Sequence, residues 1–341
     1  MQSRTRISTS RCTLLTCGAD FDLQHCALKK GASTLMAARL SQPTPGRKIF
    51  SSRFATIVVT IITIIWTVPT LGLFISSFRT GEDIYATGWW HVFVEPKFTL
   101  ENYDKVFFGG ASESLSDGIL PYFINSVVIT IPAVVFPLVI ATMAAYCLAW
   151  IRFRGSDFLF FFIFALQVVP LQMSLVPILQ LFTSGVHIGS VQVIPALGVA
   201  GKFAGIWLPH TMFALPLAIY LLHNFIASLP RELMEAAHVD GANHFKIFRM
   251  IVLPLSIPAI AAFAIFQFLW VWNDLLVALT FASGTQEIAP INVKLASLVG
   301  QYGSDWTSLT AGAFITIALP LVVFFSLQRY FVRGLLAGSV K

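Results

Sequence analysis

Charge is what this chain has least of. Asp, Glu, Lys and Arg make up 11% of its 341 residues, less than half the share usual in a soluble domain, about 25%. Cysteine is nearly as scarce. Three of the four (Cys12, Cys17, Cys26) lie in the first 35 residues, and Cys147 sits in an apolar run. No CxxC pair occurs and the spacing fits no metal site, so the thiols read as reduced and incidental. The phosphate-cradling GxxxxGK[ST] loop is also missing. Gly201-Lys202 is followed by Phe203, and Ala196 stands where the first glycine should be, so the chain cannot be an ATPase. No catalytic constellation is present, and neither enzyme activity nor a bound metal or cofactor is expected. The first 53 residues hold no apolar core long enough for a secretory signal.

Apolar residues are what the chain has in plenty. They form 56% of it, with a mean hydropathy of +0.78. They come in continuous runs, where a membrane barrel would alternate, so the expected class is an all-α integral membrane protein. About 20 apolar residues span a bilayer. Six stretches qualify: 54–78, 123–150, 158–182, 204–225, 257–281 and 309–327. Pro69, Pro137, Pro170, Pro177 and Pro216 lie inside them, either as packing kinks or as gating hinges, tolerated where neighbours satisfy the freed carbonyls. An acidic loop over 79–120, with Trp89-Trp90 as an interfacial anchor, separates the first two spans. Six spans put both termini on one side. That side carries 17 of the basic residues and the other carries 5. The excess marks the termini as cytoplasmic. It also accounts for the net charge of +6, so nothing supports a nucleic-acid function.

Residues 1–53 are polar and basic and read as a disordered cytoplasmic tail. Met36-Ala-Ala-Arg-Leu opens like the start of a short basic leader, which would leave residues 1–35 outside the native protein. The alternative is a real amphipathic or regulatory extension. Residues 54–341 form the membrane domain.

The segment 230–258 interrupts the apolar second half. Pro230 suits a first helical turn, with Ser228 upstream as a possible cap. Leu233, Ala236 and Ala237 then fall on one helical face, and Glu232 and Glu235 on another. Gly241 can take the left-handed conformation that ends a helix. A second helix follows, with Phe245, Phe248, Ile251 and Val252 on its apolar side and Lys246 and Arg249 among its polar positions. The expected helix-turn-helix is too apolar to be solvated and too charged to be inserted, so it needs a protein groove to lie in.

Glu235-Ala236-Ala237, Asp240-Gly241-Ala242, Phe248, Ile251, Leu253-Pro254-Leu255 and Pro258 resemble the "EAA" loop of permease subunits of bacterial ABC importers. Phe98 to Tyr103, Asn125-Ser126, Trp272-Asn273-Asp274 and the tail from Gln328 to Lys341 extend the likeness over residues 50–341, to the maltose-type carbohydrate subfamily. The resemblance implies a multi-pass protein of the bacterial inner membrane, set among membrane lipid, that forms half of a sugar pathway. It implies a second permease subunit, a dimer of ATP-binding subunits that hold ATP and magnesium, and an extracytoplasmic solute-binding protein. Glu235, Ala236, Ala237, Asp240, Gly241, Ala242 and Lys246 would form the ATPase-coupling site. Glu235 would offer a carboxylate to a basic group, Ala236 and Ala237 would allow close approach, and Asp240 and Gly241 would shape the turn.

For the substrate pathway, Asp274 is the acid that falls well inside an expected span. With Trp272 and Asn273 it could meet a hydroxylated solute, since aromatic faces and amide donors suit sugar rings. Equally, Asn273 and Asp274 could pair with another helix or cap a break in the fifth. Gln167, Asn125, Gln172 and Gln267 are further lining candidates. His210 and His223 are expected near opposite membrane faces. The competing class is an ion-coupled secondary transporter, whose cue would be an inverted repeat with mid-membrane acids; a non-transporting scaffold is a third. An importer for a non-sugar solute such as glycerol phosphate also remains open.

Overall fold

A computed structural model describes residues 53–109, 118–151, 153–282, 286–301 and 306–339. The basic tail expected over 1–53 lies outside them, Arg53 excepted. The chain divides into two units, Met1–Pro69 and Thr70–Lys341. Helix α1, Arg53–Ser77, runs across this boundary. In the first unit its threonine hydroxyls are satisfied within the helix: Thr60 donates to Thr56 O at 2.8 Å and Thr67 to Thr63 O at 2.7 Å, which removes the cost of a bare hydroxyl in an apolar setting.

The second unit continues with α2 (Gly81–Ala86), a 3-10 turn, α3 (Glu101–Phe108) and α4 (Leu120–Trp150). Helix α5 (Ser156–Ala165) runs into a 3-10 turn, Leu166–Val168, and is followed by α6 (Leu171–Thr183). A short antiparallel hairpin, β1 (Val186–Ile188) with β2 (Val191–Ile194), leads to α7 (Phe203–Ala227). Then come α8 (Arg231–Val239), α9 (His244–Ile247), a π-helical turn over Phe248–Val252, and α10 (Leu253–Trp272). Helices α11 (Leu276–Phe281), α12 (Ile291–Gln301) and α13 (Trp306–Ser339) complete it. Among the described residues five helices are long and apolar enough to cross a membrane. The pair Ser156–Val168 and Leu171–Thr183, bent by 102°, makes a sixth if counted as one span.

Two expected spans differ in form. The third breaks at Pro170, where the preceding Val169 is extended (φ −69°, ψ 119°), because a residue before proline is driven out of the helical region. Pro177 sits inside α6 without interrupting it. The fifth was expected to reach residue 281 but ends at Trp272, for a reason given with the site below.

Helices α4 and α7 pack most extensively. Ala141 and Ala145 on α4, and Ala214 and Ala218 on α7, are all buried in one cluster. Alanines four apart let two helices approach closely, which is how helices associate where lipid offers no hydrophobic drive.

Three of the in-helix prolines share one device. A proline at position i leaves the carbonyl of residue i−4 without its amide. Pro132 thus frees Val128 O, and Trp207 Nε1 donates to it at 3.1 Å. Pro137 frees Ala133 O, and Gln267 Nε2 donates at 3.3 Å. Pro320 frees Thr316 O, and Trp272 Nε1 donates at 3.1 Å. Just past α7, Pro230 leaves Ile226 O to Trp150 Nε1, at 3.2 Å, with Leu229 N also on it at 3.3 Å. Each orphaned carbonyl becomes a tie between two helices.

Candidate functional site

The helix-turn-helix lies where the sequence placed it. Pro230, extended at ψ 131°, is the N-cap of α8 and no side chain caps it; Ser228 instead donates back to Phe225 O at 2.7 Å. Gly241 has φ 77°. Gly241 N bonds His238 O and Ala242 N bonds Ala237 O, both at 3.0 Å. This is a Schellman end, and only glycine takes that backbone without strain. Asn243 Oδ1 then accepts from Lys246 N at 2.9 Å and starts α9. The π-helical turn follows, where Leu253 N reaches back to Phe248 O.

Its two faces differ from the expected ones. Met234 and Ala237 are the buried residues of α8, joined by Ile247 and Val252 from the second limb in the α4–α7 core. Leu233 and Ala236, paired with Ala237 in the sequence reading, point outward. Helical geometry explains the shift: residues 234 and 237 are three apart on one face, while 233 and 236 lie on the next. Ala237 therefore packs inside this chain, and Ala236 stays open. Phe245, expected on the inward side with Phe248 and Val252, is 69% exposed, and Val239 is 87% exposed. Glu235, Asp240 and Lys246 are exposed too. The outer surface thus carries Leu233, Val239, Phe245 and Met250 beside charged groups.

A polar chain runs along the loop as well. His238 Nδ1 donates to Met234 O at 2.7 Å. The His238 and His244 rings meet edge to face with centroids 5.2 Å apart. His244 Nδ1 and the Tyr146 hydroxyl are 3.1 Å apart, and the Tyr146 ring lies 5.3 Å from that of Phe248.

At the opposite end of the bundle, Asn273 and Asp274 cap a break. Asn273 Nδ2 donates to Leu269 O at 2.8 Å, and Asp274 Oδ2 accepts from Ala278 N at 3.1 Å. Their short polar chains offer the backbone a local alternative to helix, which is why α10 stops before them. Asn292, which the sequence reading passed over, donates to Trp272 O at 2.6 Å and to Asp274 O at 3.3 Å. Trp272 is 2% exposed, stacked on Phe268 and edge-on to Phe123. It packs the interior. Asn125 is tied down as well, donating to Glu287 O at 2.8 Å and Ala289 O at 3.1 Å, while Ser126 Oγ accepts from Ile291 N at 2.8 Å. Gln167 and Gln172 are exposed beside the bend at Pro170.

His210 is buried in the bundle. Its side chain is 3% exposed, with Nε2 3.7 Å from Asp274 Oδ2. The break after Trp272 is what returns Asp274 toward α7. His223 is half-buried, its ring 4.2 Å from that of Phe160. His210 and Gln267 also line a small cavity whose walls include Phe213, Phe263, Phe266 and Trp270.

Bundle, proline breaks and exposed helix-turn-helix together define a membrane permease architecture. The family described as "Binding-protein-dependent transport system inner membrane component" matches residues 137–336, and the chain belongs to it: a permease subunit of an ABC importer, not an enzyme. It is 52% identical to the "Osmoprotective compounds uptake permease protein GgtD" of Synechocystis sp., over 84% of this chain and 91% of that one. It is 53% identical to the "Alpha-glucoside transport system permease protein AglG" of Rhizobium meliloti, over 72% of this chain and 61% of that one. Among solved structures, one chain of a bacterial ABC transporter "involved in the import of the acidic polysaccharide alginate" superposes with a TM-score of 0.64 at 20% identity, covering 85% of this chain and 99% of that one. That likeness carries the fold.

Proposed function

We propose that the chain forms half of the translocation pathway of a sugar importer of the bacterial inner membrane, with both termini cytoplasmic, and that ATP and magnesium are bound by partner subunits. The carrying observation is the two-faced helix-turn-helix. One face, Met234, Ala237, Ile247 and Val252, is spent on the bundle. The other, Leu233, Val239, Phe245 and Met250, is apolar and open, flanked by Glu235, Asp240 and Lys246. A partner that accepts it would cover apolar surface and pair its rim charges, the usual anatomy of a protein interface. In this reading Glu235 meets a basic group on the ATPase, Ala236 and Ala242 permit close approach, and Asp240 and Gly241 hold the turn. A second permease completes the pathway, and a solute-binding protein delivers the sugar. Within this chain the path runs by Gln167, Asn273, Asp274 and the cavity beside His210. Names such as the alpha-glucoside permease among the relatives support a neutral glycoside or polyol as the solute.

The test is co-purification of the tagged chain from its own membrane, followed by ATP hydrolysis with sugar-loaded binding proteins. Recovery of an ATPase and a second permease, with sugar-stimulated hydrolysis, is expected. A chain that purifies alone and takes up solute on an ion gradient would overturn the reading in favour of a secondary transporter.

A further inference from the structure

Tyr146 and Trp150 stand four apart at the end of α4, hence on one helical face. They reach the two roots of the helix-turn-helix separately. Trp150 Nε1 donates to Ile226 O, in the last turn of α7 before the first limb begins. The Tyr146 hydroxyl meets His244 Nδ1 at the start of the second limb, and His244 in turn touches His238 on the first. Apolar contacts follow the same route. Tyr146 shares its buried cluster with Met234, Ala237, Ile247 and Val252, and Trp150 and Phe248 pack against it. The loop is thus gripped at both ends by two turns of one helix, and α4 is the helix packed most extensively on α7.

We propose that the end of α4 receives the movement of the loop, with Tyr146 and Trp150 as the positioning residues that clasp α4 to both of its roots. This rests on the coupling reading of the loop given above. Interiors are bistable rather than continuously deformable, so a displacement of α8 is passed on only where side chains tie it to another element. Among the described residues, the polar ties observed from the loop and its root to α4 are these two. From there α4 carries the displacement to Pro132 and Pro137, whose freed carbonyls are tied to Trp207 on α7 and Gln267 on α10.

The experiment uses the assembled importer in lipid nanodiscs, in a cysteine-free background, with one nitroxide label at a time. Arg231→Cys, exposed at the start of α8, reports the loop. Val139→Cys, exposed on α4, reports the receiving helix. Trapping ATP with vanadate should shift both spectra. Tyr146→Phe keeps the ring and removes one hydrogen bond; Trp150→Phe keeps an aromatic ring but removes the indole N–H together with part of the packing. In the double variant the label at 231 should still respond. The response at 139 should fall about threefold or more, the size expected from losing hydrogen bonds of ordinary strength. Unchanged response at 139 overturns the clasp. Equal loss at both labels also overturns it, because the residues then merely support the loop. If the double variant fails to assemble, each single variant is read the same way. A parent complex whose label at 231 ignores ATP, or one that holds no ATPase, overturns the coupling reading itself, and the clasp with it.

Discussion

The two ends of the bundle are held by different means. Around α10–α12, side chains stitch backbone to backbone: Asn125, Ser126, Asp274 and Asn292 spend their polar atoms on main-chain groups of distant or broken segments. Around the helix-turn-helix, burial of four apolar side chains, a Tyr–His contact and a Trp–carbonyl bond at its root hold a loop whose other face is apolar and bare. A buried main-chain group needs a partner inside the molecule, so the first end is complete in itself. An apolar face over charged rims is complete only when covered. The stitched end therefore answers to stability, and the docked end answers to whatever docks there.

That contrast is broken most strongly at the stitched end. Trp272→Ala removes a buried indole and orphans Thr316 O, which Pro320 already deprives of its amide, and a loss of about 3 kcal/mol or more is expected. Detergent-titrated unfolding of the purified chain measures it. Trp272→Phe, which keeps most of the packing, should lose about 1–3 kcal/mol, the cost of one unsatisfied buried carbonyl. Equal losses for the two variants would mean that the carbonyl tie carries the effect and packing little.

Ser126→Ala comes next. It leaves the amide of Ile291 without its acceptor, in a site where Ser126 is 2% exposed. About 1–3 kcal/mol is expected, together with faster proteolysis of the 286–301 segment. At the other end, Asn243→Ala removes the cap of α9 and should cost about 1 kcal/mol. Hydrogen exchange over residues 244–247 should rise, with no change near residue 291.

Much of this was legible in the sequence. Run length and continuity locate the spans, because lipid imposes them on composition directly. Gly241 declares the turn, because its chemistry is local, whereas the cap at Asn243 was passed over. The break at Pro170 follows from the residue itself. What the sequence hid depends on a second element. The fifth span reads as continuous to residue 281 by hydropathy, but the alternative that Asn273 and Asp274 cap a break in it is the one the structure bears out. The contact of His210 with Asp274 was hidden because the two are 64 residues apart in sequence and meet only through that break. Trp272 looked like a sugar platform because nothing local reveals that Pro320 leaves a carbonyl for it. The inward face of α8 was misjudged by one residue, since Leu233 and Met234 are equally apolar and only packing separates them.

The smallest effect on the fold should come from Glu235→Lys. Glu235 is exposed on α8, where reversal of one charge should change stability by less than about 0.5 kcal/mol, and the chain should reach the membrane in normal amount. Its effect should instead fall on assembly. A lysine would face the basic group that the carboxylate is proposed to meet, and like charges across an interface discriminate strongly against association. Uptake and recovery of the ATPase should both drop, and raising salt should recover part of the association, because rim charges act within a Debye length. A charge reversal on the partner that restores the pair would complete the test. Should Glu235→Lys instead cost stability while leaving the ATPase bound, the loop would be a structural element like the stitched end, and the contrast between the two ends would fail.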